Sequence, residues 1–224
     1  MTEAPYYIAL DGLDGSGKSS QLNLLVRALL ANGIDCHHIR EPGGTDVGAK
    51  LREIVLTGEH DKLDGIGEAL LFSADRRQTM LKVTKPALDA GQWVVSDRSF
   101  LTTTVFQGYG RGLSLELLET LHRIAIEDVR PHVQIILDIP VEIGLSRKGV
   151  QIEAGLDEAR FENMGVSFHQ RVREGYHAEA AKDDHIVLVD ADADLVTVHN
   201  RVVEALNGKL GISLTPLPRE KVLI

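Results

Sequence analysis

The sequence predicts an α/β fold: a five-stranded parallel sheet with helices on both faces, three layers in all. Two observations carry this. Short runs rich in Val, Ile and Leu recur between longer helix-like stretches. These runs lack strict alternation, which suits strands buried on both faces. Strand and helix alternate along the chain, and each crossover lays a helix on a sheet face. With 224 residues, 43% of them hydrophobic, the chain supports one domain with a full core.

The strands are expected at 6–11, 35–40, 93–97, 133–138 and 185–190. Helical stretches are expected at 18–31, 46–57, 65–90, 114–128, 140–147, 161–182 and 194–207. Four strands end in aspartate, at Asp11, Asp97, Asp138 and Asp190. Ligands on parallel sheets bind at the carboxyl ends of strands, so chemistry is expected there. The domain is read as 1–208, with a tail of unassigned role at 209–224. Pro216 and Pro218 predict that this tail is extended, packed on a neighbour or disordered.

The first strand runs into Gly12-Leu13-Asp14-Gly15-Ser16-Gly17-Lys18-Ser19. This fits G-x-x-x-x-G-K-[ST], the phosphate-cradling loop of P-loop nucleotide-binding proteins, in its strand–loop–helix context. Glycines let backbone amides close around phosphate oxygens at a helix N-terminus. Lys18 adds charge toward the β- and γ-phosphates, and the Ser19 hydroxyl is placed to hold Mg²⁺. Asp14 is an odd acid in an anion-binding loop. It faces a group such as a sugar hydroxyl, or else it is a solvated turn residue.

The second strand leads into Arg40-Glu41-Pro42-Gly43-Gly44-Thr45, a tight loop that serves a ligand or only a turn. Phe72 and Arg76 lie four apart on the third helix, on one face, and Phe72 fits either base stacking or core. The third strand ends in Asp97-Arg98. An Asp here holds Mg²⁺ directly or through water, and the Arg98 fork suits phosphate oxygens. Thr102 to Gly112 follows, with hydroxyls, Gln107 and two aromatics as parts for reading a base and sugar. The threonine run is a poor helix former. Residues 148–160 read as a lid with weak periodicity, bracketed by Arg147, Lys148 and Arg160, or as an ordinary solvated connection.

Composition excludes several classes. A net charge of −9 argues against a nucleic-acid scaffold. The single cysteine, Cys36, reads as a buried apolar thiol. No apolar run reaches the roughly 18 residues of a membrane span, and the first residues lack a signal-peptide pattern. A cytoplasmic protein without a membrane partner is the expectation. The histidines show no metal-ligand spacing. A guanine-reading N-K-x-D motif is absent, which disfavours a nucleotide-dependent switch.

Together these motifs resemble bacterial thymidylate kinases. The resemblance covers about residues 6–207. It rests on the Gly12–Ser19 loop, on Arg40-Glu41-Pro42-Gly43-Gly44-Thr45, and on Leu71-Phe72 with Arg76. It continues through Asp97-Arg98-Ser99, Phe106-Gln107-Gly108-Tyr109-Gly110-Arg111-Gly112 and Leu137-Asp138. It implies transfer of the γ-phosphoryl group of ATP to dTMP, with Mg²⁺, in a homodimer. Another nucleoside or nucleotide kinase of this fold is the alternative.

By resemblance, the ATP site comprises Gly12, Leu13, Asp14, Gly15, Ser16, Gly17, Lys18, Ser19, Ser20 and Arg147. The dTMP site comprises Asp14 near the sugar 3′-hydroxyl, Phe72 stacked on thymine, and Arg76 near the base edge and phosphate. It also includes Arg98 between the two phosphates, Thr103 and Gln107 facing the base, Phe106 near the sugar 2′-carbon, and Glu41, Pro42 and Arg52. Catalysis falls to Lys18, Arg98, Asp14 and the lid cation. Arg160 best matches the family pattern, with Lys148 and Arg147 as alternatives. The metal positions are Ser19 and Asp97.

Overall fold

The computed structural model describes residues 4–57, 62–153, 161 and 164–223. Its sheet contains β1 (Tyr7–Gly12), β2 (Cys36–Arg40), β3 (Trp93–Asp97), β4 (Val133–Asp138) and β5 (Ile186–Asp190). Each strand begins and ends within one residue of its expected place. All are parallel, in the order β2-β3-β1-β4-β5. The central strand β1 is hydrogen-bonded to β3 and β4, with Leu10 opposite Asp97 and Gly12 opposite Leu137. The carboxyl ends of these three strands therefore meet at one edge.

The helices are α1 (Lys18–Ala31), α2 (Asp46–Leu56), α3 (Gly65–Thr79), α4 (Lys85–Asp89), α5 (Phe100–Thr103), α6 (Leu115–Ile126), α7 (Val141–Glu153), α8 (Val166–Ala180), α9 (Leu195–Leu210) and α10 (Arg219–Val222). They cover both faces. Ile8, Leu10, Ile135 and Leu137 point to one side and pack with Leu22, Leu25 and Leu29 of α1 and Val198 and Val202 of α9. On the other side Ile136 packs with Phe106, Phe168, Val172 and Tyr176. Tyr7, Val94 and Ile39 join Ala87 of α4 there.

Four departures have local causes. The helix expected over 65–90 is broken by a π segment, Met80–Thr84. Pro86 has no N–H to return to the carbonyl four residues back, and a wider turn absorbs the loss. The stretch after Arg98 forms α5 and a second π segment, Thr104–Gly110. The threonines gave no hint of this, because tertiary packing outweighs their weak helix propensity. Gly208 does not end α9, whereas Gly211 does, in the left-handed region at φ 66° that closes helices. The lid expected at 148–160 begins as helix, because α7 runs to Glu153, while 154–160 lie outside the described residues.

The tail is docked. Leu214, Leu217 and Val222 are buried, the latter two against Leu24 and Ala28 of α1. Two asparagines clamp its backbone. Asn207 accepts from Leu214 N at 2.7 Å and donates to its carbonyl at 3.0 Å. Asn32 makes the same reciprocal pair with Thr215, both at 3.0 Å. Among the described residues no helix is long and apolar enough to cross a membrane.

Candidate active site

At the carboxyl edge of the sheet lies a cleft of about 430 Å³. Its lining joins two chemistries. One end carries Asp14, Gly15, Gly17, Lys18, Ser19, Ser20 and Arg147. The other carries Glu41, Pro42, Arg52, Phe72, Arg76, Thr103, Phe106 and Gln107. Asp97 and Arg98 belong to the same lining. So most of the residues singled out in the sequence share one cavity. Gly12, Leu13 and Ser16 do not line it and instead form the base of the loop. Arg160 lies outside the described residues, and so does the side chain of Lys148.

The phosphate loop is built by close approach. Gly15 (φ 77°) and Gly17 (φ 90°) take left-handed conformations. A Cβ on Gly15 would come within 2.1 Å of the Gly144 carbonyl in α7. Lys18 Nζ donates to the carbonyls of Gly12 (3.1 Å) and Leu13 (2.9 Å) and sits 3.5 Å from Asp14. Burial lowers the Lys18 pKa, with the nearby Arg98 charge adding to the effect and Asp14 opposing it. The buried Ser16 hydroxyl has no hydrogen-bond partner.

Arg98 stands at the tip of β3 with φ 75°, a conformation that strains any side-chain-bearing residue. Its guanidinium donates to Asp14 at 2.6 Å and to Asp11 at 3.3 Å, and lies 5.4 Å from the Phe106 ring centre. Burial alone would lower its pKa, but Asp14 and Asp11 outweigh it and hold the charge.

Asp11 is the residue whose role sequence reasoning missed. It is fully buried and accepts from Tyr176 Oη at 2.6 Å, Thr102 Oγ1 at 2.5 Å and Gly12 N at 2.9 Å, besides Arg98. These donors arrive from α8, α5 and the phosphate loop. Its position at a strand end was the only signal. Of the other strand-end aspartates, Asp97 lines the cleft. Asp138 does not: it pairs with Arg173 through two bonds of 2.7 and 2.8 Å and with His177 at 3.1 Å. Asp190 pairs with Arg201 at 2.9 Å. The expectation of chemistry at both is corrected, since each is spent on an ion pair outside the cleft lining. Phe161, Leu56, Arg40 and Thr102 line the cleft without having been singled out as site residues.

The far end is held by a buried network. Arg76 donates to Glu41 at 2.8 Å, to the Ser99 carbonyl at 3.0 Å and to Thr103 at 3.3 Å. Burial pushes the Glu41 carboxyl up to about 7, against the opposing pull of Arg76. The Pro42 carbonyl accepts from Arg52 at 2.8 Å and Gly43 N donates to Asp75 at 3.0 Å. The Glu-Pro-Gly-Gly loop is thus pinned from α2 and α3, and still faces the cleft. Phe72 is buried with Phe161, their ring centres 6.3 Å apart, so it belongs to both core and cleft.

The family model described as thymidylate kinase matches residues 10–202. The chain is similar to a thymidylate kinase of Desulforapulum autotrophicum, 41% identical over 212 residues and covering 93% of each. It is also similar to one from Chlorobaculum parvum, 41% identical over 205 residues, covering 89% of this chain and 94% of the relative. Among solved structures, the crystal structure of thymidylate kinase from Ehrlichia chaffeensis superposes with a TM-score of 0.71 at 29% identity, covering 91% of this chain and 99% of that one.

Proposed function

The chain belongs to the thymidylate kinase family, and from that premise we infer that it transfers the γ-phosphoryl group of ATP to dTMP, giving dTDP and ADP. The observation that carries this reading is the single cleft in which a phosphate loop and an aromatic-lined end face each other across Arg98. Phosphoryl transfer needs little covalent help, so positioning and charge neutralisation dominate.

ATP phosphates are received by the Gly12–Ser19 loop with Ser20, and Lys18 and Arg98 spread the charge of the transferring group. The adenine end lies toward Arg147. The dTMP phosphate and sugar meet Arg98, Asp14, Glu41, Pro42 and Arg52, and the base lies among Phe72, Arg76, Thr103, Phe106 and Gln107. Arg160, with Lys148 and Arg147 as alternatives, supplies the lid cation.

The donor set suits Mg²⁺. Ser19 and Asp97 both line the cleft, and Mg²⁺ favours a few hard oxygen ligands completed by substrate phosphate and water. When bound it neutralises charge on the β- and γ-phosphates.

The enzyme works as a cytoplasmic homodimer in this reading. Exposed apolar side chains recur at Ile54 of α2, Ile66 and Leu70 of α3, and Leu117 and Ile124 of α6. These three helices pack side by side, and apolar patches of this kind mark protein interfaces. Light scattering of the wild type and Ile124→Glu should show a dimer and a monomer respectively. A monomeric wild type overturns the dimer.

The activity is tested by coupled ADP release over a panel of nucleoside monophosphates with ATP and Mg²⁺. dTMP is expected to be turned over best. No preference for dTMP over UMP, dUMP and dCMP would overturn the assignment.

A further inference from the structure

Ser96 is a polar residue in an apolar place. It follows Trp93, Val94 and Val95 in β3, and all four are buried. In the sheet it lies between Ala9 of β1 and Ile39 of β2, and it is fully buried. A buried hydroxyl is tolerated where it finds a partner. The partner here is the Arg98 carbonyl, which accepts from Ser96 Oγ at 2.6 Å.

That bond joins two residues of one strand tip, so it depends on the backbone between them. Arg98 holds φ 75°, where glycine is the ordinary occupant. Its N–H continues the sheet ladder to the Leu10 carbonyl at 2.8 Å, and the Asp97 carbonyl accepts from Glu41 N at 3.0 Å. With the nitrogen side fixed in this way, relaxing φ to ordinary negative values swings the Arg98 side chain and carbonyl together about the N–Cα bond. The Ser96 bond would break, and the hydroxyl would be left buried without that acceptor. Ser96 thus opposes the relaxation that sterics favour.

The other end of Arg98 is held differently. Its guanidinium donates to Asp14 at 2.6 Å and to Asp11 at 3.3 Å. Asp14 lines the cleft, where an incoming ligand can draw it off. The backbone hold lies beyond a ligand's reach, because Ser96 is fully buried.

We propose that Ser96 is a positioning residue for phosphoryl transfer: its hydroxyl keeps Arg98 in the left-handed conformation that carries the guanidinium into the cleft beside the phosphate loop. This rests on the reading of Arg98 as the clamp between the two phosphates. Misplacing a group of that kind by about 1 Å costs on the order of 10²-fold in rate.

The test is a double-mutant cycle in kcat with ATP and dTMP, built from Ser96→Ala and Arg98→Gly. Alone, Ser96→Ala should lower kcat by about 10–10²-fold. KM for ATP should change by less than about threefold, because the phosphate loop is untouched. In the Arg98→Gly background the same change should alter kcat by less than about threefold, because no guanidinium is left to misplace. An unchanged kcat in Ser96→Ala overturns the proposal. So does an equal loss in both backgrounds, or a Ser96→Ala protein that no longer folds, since either marks a purely structural hydroxyl. A wild type that does not phosphorylate dTMP overturns the functional reading instead, and the cycle is then read on the monophosphate of the panel that is turned over.

Discussion

At the scale of single residues, Arg98 shows how site chemistry competes with backbone preference. A left-handed conformation costs a residue with Cβ about 1–2 kcal/mol relative to glycine, and Arg98 holds it at φ 75°. Arg98→Gly is therefore expected to be more stable than Arg98→Ala by that amount in urea unfolding, the reverse of the usual order. Both should lose at least about 10²-fold in kcat if Arg98 is the proposed clamp on the transferring phosphate. Two other buried groups make opposed pH dependences. Burial lowers the His122 pKa to about 3, so its folded form stays neutral while the unfolded form charges below its ordinary 6.5. Stability from this group is full above 6.5 and is lost as pH falls toward 3. Glu41, raised from 4.5 to about 7, contributes fully below 4.5 and loses its contribution as pH rises toward 7. Each slope is about 1.4 kcal/mol per pH unit. Between pH 4.5 and 6.5 they cancel. His122→Gln should expose a stability that falls with rising pH in that window, and Glu41→Gln one that rises, both read from urea midpoints. The loop residues were legible because phosphate recognition demands glycine and lysine at set spacing. Asp11 was not, because its partners Arg98, Thr102 and Tyr176 come from distant parts of the chain and meet only in the folded state.

At the scale of elements, the contact between the phosphate loop and α7 is a backbone-to-backbone seat. A Cβ on Gly144 would sit 2.6 Å from the Asp14 carbonyl, and one on Gly15 would strike Gly144. Gly→Ala inside a helix ordinarily stabilises by about 0.5–1 kcal/mol. Here Gly144→Ala should destabilise instead, and it should raise KM for ATP more than KM for dTMP, since it pushes on the loop and on the helix bearing Arg147. A KM for ATP unchanged within twofold would show that loop and helix move independently. The central strands β1, β3 and β4 were the most legible elements, because apolar runs buried on both faces leave little choice, whereas the edge strand β2 buries only Ile39. The helix after Arg98 was hidden by its threonines. The extension of α7 to Glu153 was hidden by weak periodicity around two glycines.

At the scale of the whole molecule, a parallel sheet with two helical layers was readable from alternation. The order β2-β3-β1-β4-β5 was not, since order depends on long-range pairing that short-range patterns do not carry. The docking of the tail was equally hidden, because Pro216 and Pro218 left an extended, packed or disordered segment open. Truncation after Gly211 removes three buried apolar side chains, each worth about 1.5–3 kcal/mol before the entropy of ordering the tail is subtracted. A net loss of about 2–5 kcal/mol and a lower thermal midpoint are expected; an unchanged midpoint would mean the tail is only decoration. The same docking has a consequence for synthesis. Helix α1 is made early, yet Leu24 and Ala28 find part of their cover only in Leu217 and Val222. At ribosomal rates of about 5–20 residues per second, that interval is on the order of 10–40 s. For that time the nascent chain carries an uncovered apolar patch on the helix that follows its phosphate loop.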